Sequence, residues 1–269
     1  MKQFTEQEKE DIAQNYLINY NIQKLAKKYQ VSSARIRTVL KNKKVTIISD
    51  RKDLWKKRFP RNSNIFEKID TFVKAYWLGF LYADGNIQKA TNTLRINLST
   101  IDEDHLIKFK NFIGALNTEI KRNDKKDIIN NKIYEISYFS LSDEKIVNDL
   151  INKGCIENKT YSLTFPTEEI LPKEFQYHFI RGFFDGDGSI YEDKKRNRIC
   201  TNFTGTADML NSIKHIFGKD NVKLENKNNF FVLHLDGNKQ VMNILTKIYE
   251  NSSEEIVLSR KFEKFKKFQ

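Results

Sequence analysis

A chain of 269 residues, 39% of them hydrophobic, can bury one large core or two to three small ones. Its formal net charge of +12 points to a polyanionic partner, either nucleic acid or an anionic surface. No run approaches membrane-span length and Met1–Glu10 lacks an apolar signal stretch, so insertion and secretion are not expected. Cys155 and Cys200 are too few for a disulfide framework and lack zinc-ligand spacing, so both read as free thiols of a cytosolic protein. The scattered histidines, His105, His178, His215 and His234, read as structural or surface residues. The charge is uneven. Residues 1–61 hold 16 Lys/Arg against 6 Asp/Glu, whereas the other 208 hold 31 against 29. The N-terminal concentration implies a separate binding module.

In chain order, Thr5-x-x-Glu8 is a capping box. It opens a first helix with Ile12, Ala13, Tyr16 and Leu17 on its apolar side. A second short helix carries Ile22, Leu25, Ala26 and Tyr29, then Val31-Ser32-Ser33 turns into a third with Ile36, Val39 and Leu40 inward. Short helix, turn, short basic helix is the helix-turn-helix arrangement, with the last helix reading a DNA groove. Its outward face is expected to show Ser33, Arg35, Arg37, Thr38 and Lys41, with Arg suited to guanine and Lys to phosphate. A plain three-helix bundle with a solvated basic face is the alternative. Residues 1–45 are assigned to this module. Residues 46–63 read as a basic linker able to track phosphates, with a short helix near Leu54-Trp55.

The body divides into residues 64–166 and 167–269. In the first part the pattern predicts a helix over 66–83, a hairpin of 86–90 with 94–99, and a helix over 102–116. Strands near 118–122 and 132–139 and a helix over 142–153 follow. Pro172 opens a second long helix, and the order repeats: strands 191–194 and 198–204, helix 207–217, strands 222–225 and 230–235, helix 239–250. Each half reads αββαββα, an α+β layout with a sheet backed by helices.

Two stretches in these halves match each other. Ala75-Tyr-Trp-Leu-Gly-Phe-Leu-Tyr-Ala-Asp-Gly-Asn-Ile87 is echoed by Phe179-Ile-Arg-Gly-Phe-Phe-Asp-Gly-Asp-Gly-Ser-Ile190. Asp84 and Asp187 end the two runs 103 residues apart, and a duplicated unit implies pseudo-symmetry. Gly79 and Ala83, like Gly182 and Gly186, stand four apart, which stacks small residues on one helix face. A helical glycine costs roughly 1 kcal/mol against alanine. Close approach of two backbones is the packing reason that spacing suggests. Crossed at those faces, the two helices would bring Asp84 and Asp187 together. Paired carboxylates repel unless a cation or a shared proton lies between them, and oxygen-only ligands suit Mg²⁺. A calcium loop fails, because aligning Gly188 with its invariant glycine puts Phe183 first and Lys194 last. A phosphate-binding glycine loop fails on residue order.

Leu78-Gly79-Phe80-Leu81-Tyr82-Ala83-Asp84-Gly85 and Ile180-Arg181-Gly182-Phe183-Phe184-Asp185-Gly186-Asp187-Gly188 resemble the two motifs of the LAGLIDADG homing endonucleases in their single-chain form. Tyr82 departs from the acid of the family name, at a position that is not a metal ligand. Asn158–Pro166 resembles the segment joining the halves, and Leu258–Phe262 the family's C-terminal end, so the likeness covers about residues 64–265. The N-terminal module lies outside it. No intein is expected, since Phe268-Gln269 is not a splicing His-Asn terminus.

The resemblance implies two sheets forming a saddle over double-stranded DNA, in a monomer acting through its internal pseudo-twofold. It assigns Asp84 and Asp187 as catalytic metal ligands for Mg²⁺, with the carbonyls of Ala83 and Gly186 as neighbouring ligands. Base and phosphate contacts are expected from Gln88, Arg95, Asn97, Lys121 and Arg122, and from Lys194, Lys195, Arg196, Arg198 and Lys223. The family usually has a Lys or Gln near each acid. None is assigned here, because Thr100, Tyr138 and Ser140 occupy the neighbourhood in the first half. A non-cutting DNA-binding protein of the same fold, a regulator or splicing helper, is the second reading. Abundant Lys, Asn and Ile point to an AT-rich bacterial or phage genome.

Overall fold

The computed structural model describes residues 3–49, 51–126, 131–157 and 162–269. Met1 and Lys2, Asp50 of the stretch read as a linker, and residues 158–161 of the joining segment lie outside the described residues. Contacts divide the chain into two compact units, Met1–Asn62 with Gly114–Asn117, and Ser63–Ile113 with Thr118–Gln269.

The smaller unit holds α1 (Glu6–Asn19), α2 (Ile22–Tyr29), α3 (Ser33–Asn42) and α4 (Arg51–Arg58). The capping box forms as the sequence predicts: the Thr5 hydroxyl accepts from the Glu8 amide, and the Glu8 carboxylate accepts from the Thr5 amide. Asn21 and Ser32 cap the next two helices through their side-chain oxygens alone, which accept from the Lys24 and Arg35 amides. Ile12, Tyr16, Leu25, Ile36 and Leu40 make the core. Val45 and Ile47 pack against it, and the Ile48 amide donates to the Tyr16 hydroxyl at 3.1 Å. That part of the basic stretch is therefore held to the three helices rather than hanging between units.

The larger unit runs α5 (Phe72–Asp84), β1 (Gly85–Gln88), β2 (Thr93–Ser99), α6 (Glu103–Phe112), β3 (Lys121–Lys126), β4 (Ile133–Ser142) and α7 (Glu144–Asn152). It then repeats with α8 (Gln176–Asp187), β5 (Gly188–Asp193), β6 (Arg198–Gly205), α9 (Ala207–Ile216), β7 (Glu225–Asn226), β8 (Phe231–Asp236) and α10 (Asn238–Tyr249), ending in α11 (Ser259–Lys266). The two antiparallel sheets have the same order, β1-β2-β4-β3 and β5-β6-β8-β7. Gly85 faces Ile96 and Gly188 faces Phe203, so each motif enters its sheet in the same register.

Local chemistry moves some predicted boundaries. The first motif helix starts at 72, not 66, because Thr71 is extended and its hydroxyl caps the Lys74 amide. α6 stops before 116 at Gly114, whose φ of +70° is left-handed. The strand predicted over 222–225 shrinks to Glu225–Asn226, leaving Lys223 in the coil before it.

Every residue of α5 from Ala75 to Tyr82 is buried, as expected of a helix covered on all sides. Trp77 packs against Phe109 at 5.1 Å and Phe112 at 5.8 Å between ring centroids. In the second half Phe184 meets Phe203 at 5.0 Å, and Phe203 meets Phe217 at 5.7 Å. Each such buried ring is worth about 1.5–3 kcal/mol relative to leaving it in water, so the crossing of α5 and α8 is built into both cores.

Candidate active site at the helix crossing

α5 and α8 approach at backbone distance, and the glycines are what allow it. A Cβ added at Gly79 would lie 2.0 Å from the Phe179 carbonyl oxygen. One added at Gly182 would lie 1.9 Å from the Tyr76 carbonyl oxygen. Tyr76 and Phe179 hold the same place in the two motifs, so the crossing has local twofold character. One turn on, a Cβ at Gly186 would meet the Ala83 Cβ at 2.2 Å and Asp84 Oδ2 at 3.2 Å. The Asp84 carboxylate therefore lies against the residue just before Asp187. Both acids are half-buried at the ends of their helices, where β1 and β5 begin.

The donor set there is oxygen-only: two carboxylates, with the carbonyls of Ala83 and Gly186 just before them. That chemistry fits a hard divalent cation, which takes one or two carboxylates and fills its other positions with water or phosphate oxygens. Among the described residues no group of three or more His, Cys, Asp or Glu gathers. The Gly186 carbonyl also lies 3.5 Å from the Lys261 ammonium.

Lys261 is the residue that sequence reasoning missed. It sits on α11, only 4% exposed, and donates to the carbonyls of Phe184 at 2.7 Å, Asp185 at 2.8 Å and Gly188 at 2.5 Å. Burial pulls its ammonium down to about 8, opposed by the negative charges of Asp185, Asp84 and Asp187. The signal was present: Leu258, Lys261 and Phe265 are buried together on one helical face, a lysine inside an apolar stripe.

The motif position occupied by Tyr82 and Asp185 serves anchoring rather than ligation. The Tyr82 hydroxyl donates to the Lys153 carbonyl just after α7. Asp185, 1% exposed, accepts from the Leu258 amide and the Tyr76 hydroxyl, each at 2.8 Å, and from Tyr249 at 3.2 Å. Burial pushes the Asp185 carboxyl up, against the pull of the Lys261 charge and the Leu258 amide. Tyr76 also lies 3.1 Å from His105 Nε2. The fully buried Arg181 donates to the carbonyls of Ile256 at 3.1 Å and Ile248 at 2.9 Å.

The residues expected at DNA divide by strand alternation. Register puts Gln88, Arg95, Asn97 and Lys121 on the open face of the first sheet, with Tyr138 between Asn97 and Lys121. Arg95 stacks its guanidinium 4.1 Å from the Tyr138 ring centroid. Arg122 faces the other way: it pairs with Ser137 on the helix-backed side and clasps Glu103 at 2.7 and 2.9 Å. That pairing, with the Ser137 hydroxyl, pulls the Glu103 carboxyl down to about 2. Two consecutive strand residues cannot share a face, so the expectation that both Lys121 and Arg122 point outward is corrected. In the second sheet, Lys194, Lys195 and Arg196 are exposed in the β5–β6 turn. Arg198 lies 3.4 Å from Asp236, and Lys223 is exposed before β7. On α3, Arg37, Thr38 and Lys41 are exposed while Ser33 and Arg35 are partly covered.

No family model matches the sequence. The homing endonuclease I-WcaI bound to its DNA recognition sequence aligns with 81% of this chain and 93% of its own, at TM-score 0.55 and 10% identity. The chain has the LAGLIDADG fold, in its single-chain, two-motif form. At that identity the likeness is one of fold. The LAGLIDADG homing endonuclease I-GzeII in complex with its DNA target aligns at TM-score 0.45 and 14% identity, over 72% of this chain and 88% of its own. Among curated proteins, the DNA-directed RNA polymerase subunit Rpo1C of Methanocaldococcus jannaschii is 27% identical over 160 residues. That match takes in 59% of this chain but only 17% of the relative's length. No described helix is long and apolar enough to cross a membrane.

Proposed function

We propose that this chain is a site-specific, divalent-metal-dependent DNA endonuclease that breaks both strands of a long target. The observation that carries the proposal is the glycine-mediated crossing that sets the Asp84 carboxylate against the residue preceding Asp187. Asp84 and Asp187, with the carbonyls of Ala83 and Gly186, would hold Mg²⁺, which stabilises charge on phosphate oxygens and favours ionisation of water when bound. The protein's own contribution is positional. Two helix ends related by a local twofold present one acid to each strand of an antiparallel duplex, itself twofold-symmetric.

The open sheet faces are the proposed DNA surface. A two-stranded ribbon fits the major groove, and Gln88, Arg95, Asn97 and Lys121 line one such face. We further assign the N-terminal unit as a helix-turn-helix module whose α3 presents Arg37, Thr38 and Lys41. The protein is taken to act as a monomer in the cytoplasm of a bacterium or in a phage-infected cell.

The test uses a plasmid library with random inserts, incubated with protein and Mg²⁺ and mapped for linear product. Asp187→Asn is expected to abolish double-strand cutting while leaving DNA binding in EDTA or Ca²⁺ intact. Cutting retained by both Asp84→Asn and Asp187→Asn would overturn the site. The basic third helix also supports a second reading, a non-cutting regulator or splicing helper. A specific gel shift without cleavage, indifferent to Asp84→Asn, would favour it.

A further inference from the structure

The ammonium of Lys261 has three hydrogens, and the carbonyls of Phe184, Asp185 and Gly188 stand at 2.7, 2.8 and 2.5 Å, with Gly186 at 3.5 Å. These are the carbonyls flanking Asp187, at the negative end of the α8 dipole, where a cation is favoured. An ammonium so fully engaged has no donor left for water or a scissile phosphate. It is placed to fix backbone, not to touch substrate.

The helix that carries it is itself held firmly. Arg260 clasps the buried Asp102 at 2.8 and 2.9 Å, and the Ser259 hydroxyl donates to Asp104 at 2.6 Å. Lys108 donates to the Val257 carbonyl at 3.0 Å and the Ser259 hydroxyl at 2.8 Å. The Leu258 amide is bound by Asp185. The segment that delivers Lys261 is thus tied to α6 of the first half and to α8 of the second.

We propose, resting on the nuclease reading, that Lys261 is a positioning residue for the second-motif acid, and that its loss unbalances cleavage of the two DNA strands. Its hydrogen bonds all fall on the end of α8. The motif acids are related by the local twofold and the strands of a duplex by another, so disorder at Asp187 falls on one strand first. A misplacement of about 1 Å at a reacting centre costs on the order of 100-fold in rate.

The experiment uses the full chain and a supercoiled plasmid carrying the site that the wild type cuts. Lys261→Met is compared with Lys264→Met, which alters an exposed neighbour on the same helix. The expected result is nicked circles that persist with Lys261→Met, the breaks mapping to one strand on denaturing gels. Cleavage of the second strand should be slowed by roughly 10- to 100-fold, with binding in Ca²⁺ unchanged. Lys264→Met should yield linear product at the wild-type rate. If circular dichroism shows Lys261→Met to be unfolded, Lys261→Arg supplies the same readout, because it keeps the charge but displaces the donors. Equal slowing of both strands, or no slowing, in the folded variant overturns the positioning role while leaving the nuclease reading intact. A wild-type chain that never cuts overturns both.

Discussion

Alanine at Gly182 distinguishes a tight crossing from a loose one by the sign of the stability change. In an uncrowded helix Gly→Ala stabilises by up to about 1 kcal/mol. Here the new Cβ would lie 1.9 Å from the Tyr76 carbonyl oxygen and 2.7 Å from the Phe80 amide nitrogen. Ordinary contact begins near 3.4 Å, so the helices must part by about 1.5 Å. The neighbours are helix backbone, which cannot rotate away as a side chain would. Overpacking of this kind costs about 1–3 kcal/mol, occasionally more; with no side-chain escape the upper end applies, leaving a net loss of about 2 kcal/mol. Urea unfolding followed by circular dichroism measures it. Gly79→Ala makes the mirror-image clash at 2.0 Å with the Phe179 carbonyl oxygen. Because the first substitution already separates the helices, the double variant should lose less than the sum of the two. Cleavage should fall with the singles, since parting the helices parts the acids. A Gly182→Ala protein as stable as the wild type, or more stable, would refute the close crossing.

Three further outcomes can be checked. His105, buried among Tyr76, Trp77 and Phe80, is held neutral by burial with its pKa down at about 3. A depressed histidine contributes stability that is complete above about 6.5 and is lost as pH falls toward 3, so His105→Phe should flatten the urea-midpoint curve between those values. An unchanged slope would show that this imidazole does not govern the acid limb. Lys121→Ala should weaken DNA binding and lower the log–log salt slope by about 1, whereas Arg122→Ala, on the helix-backed face, should leave the slope alone; fluorescence anisotropy in graded KCl tests both, and the reverse order would sink the face assignment. Deleting residues 1–61 removes a net charge of +10 and should flatten the salt dependence further, so an identical slope would mean that the N-terminal unit does not meet DNA.

The repeat was legible because it rests on residue types with few alternative uses. A glycine in the middle of an apolar helix is costly, and two of them in matched runs left close helix packing as the economical explanation. The same pattern gave the element order of both halves, since hydrophobic period separates helix from strand without knowledge of the partner. Arg122 was misjudged for the complementary reason: composition marks a basic residue, but only strand alternation and pairing decide its face, and Arg122 pairs with the buried Ser137 while Lys121 pairs with Tyr138. Lys261 was missed because a lysine is almost never fully buried unless partnered, and its partners are backbone carbonyls that composition does not mark.

Tyr82 and Asp185 show where the limit lies. In sequence they look like a departure from symmetry, an aromatic ring opposite an acid. In space they do one job, each reaching from its motif helix to nearby backbone, the Lys153 carbonyl just after α7 in one case and the Leu258 amide just before α11 in the other. The tyrosine does so as a donor to a carbonyl and the aspartate as an acceptor from an amide. The acid then requires company that the phenol does not: buried at 1% exposure, it draws in Tyr76, Tyr249 and the charge of Lys261. The second half thus acquires a polar network around its motif end because a single position carries a carboxylate. It is this network, not the repeated acids, that sets the surroundings of Asp187 apart from those of Asp84.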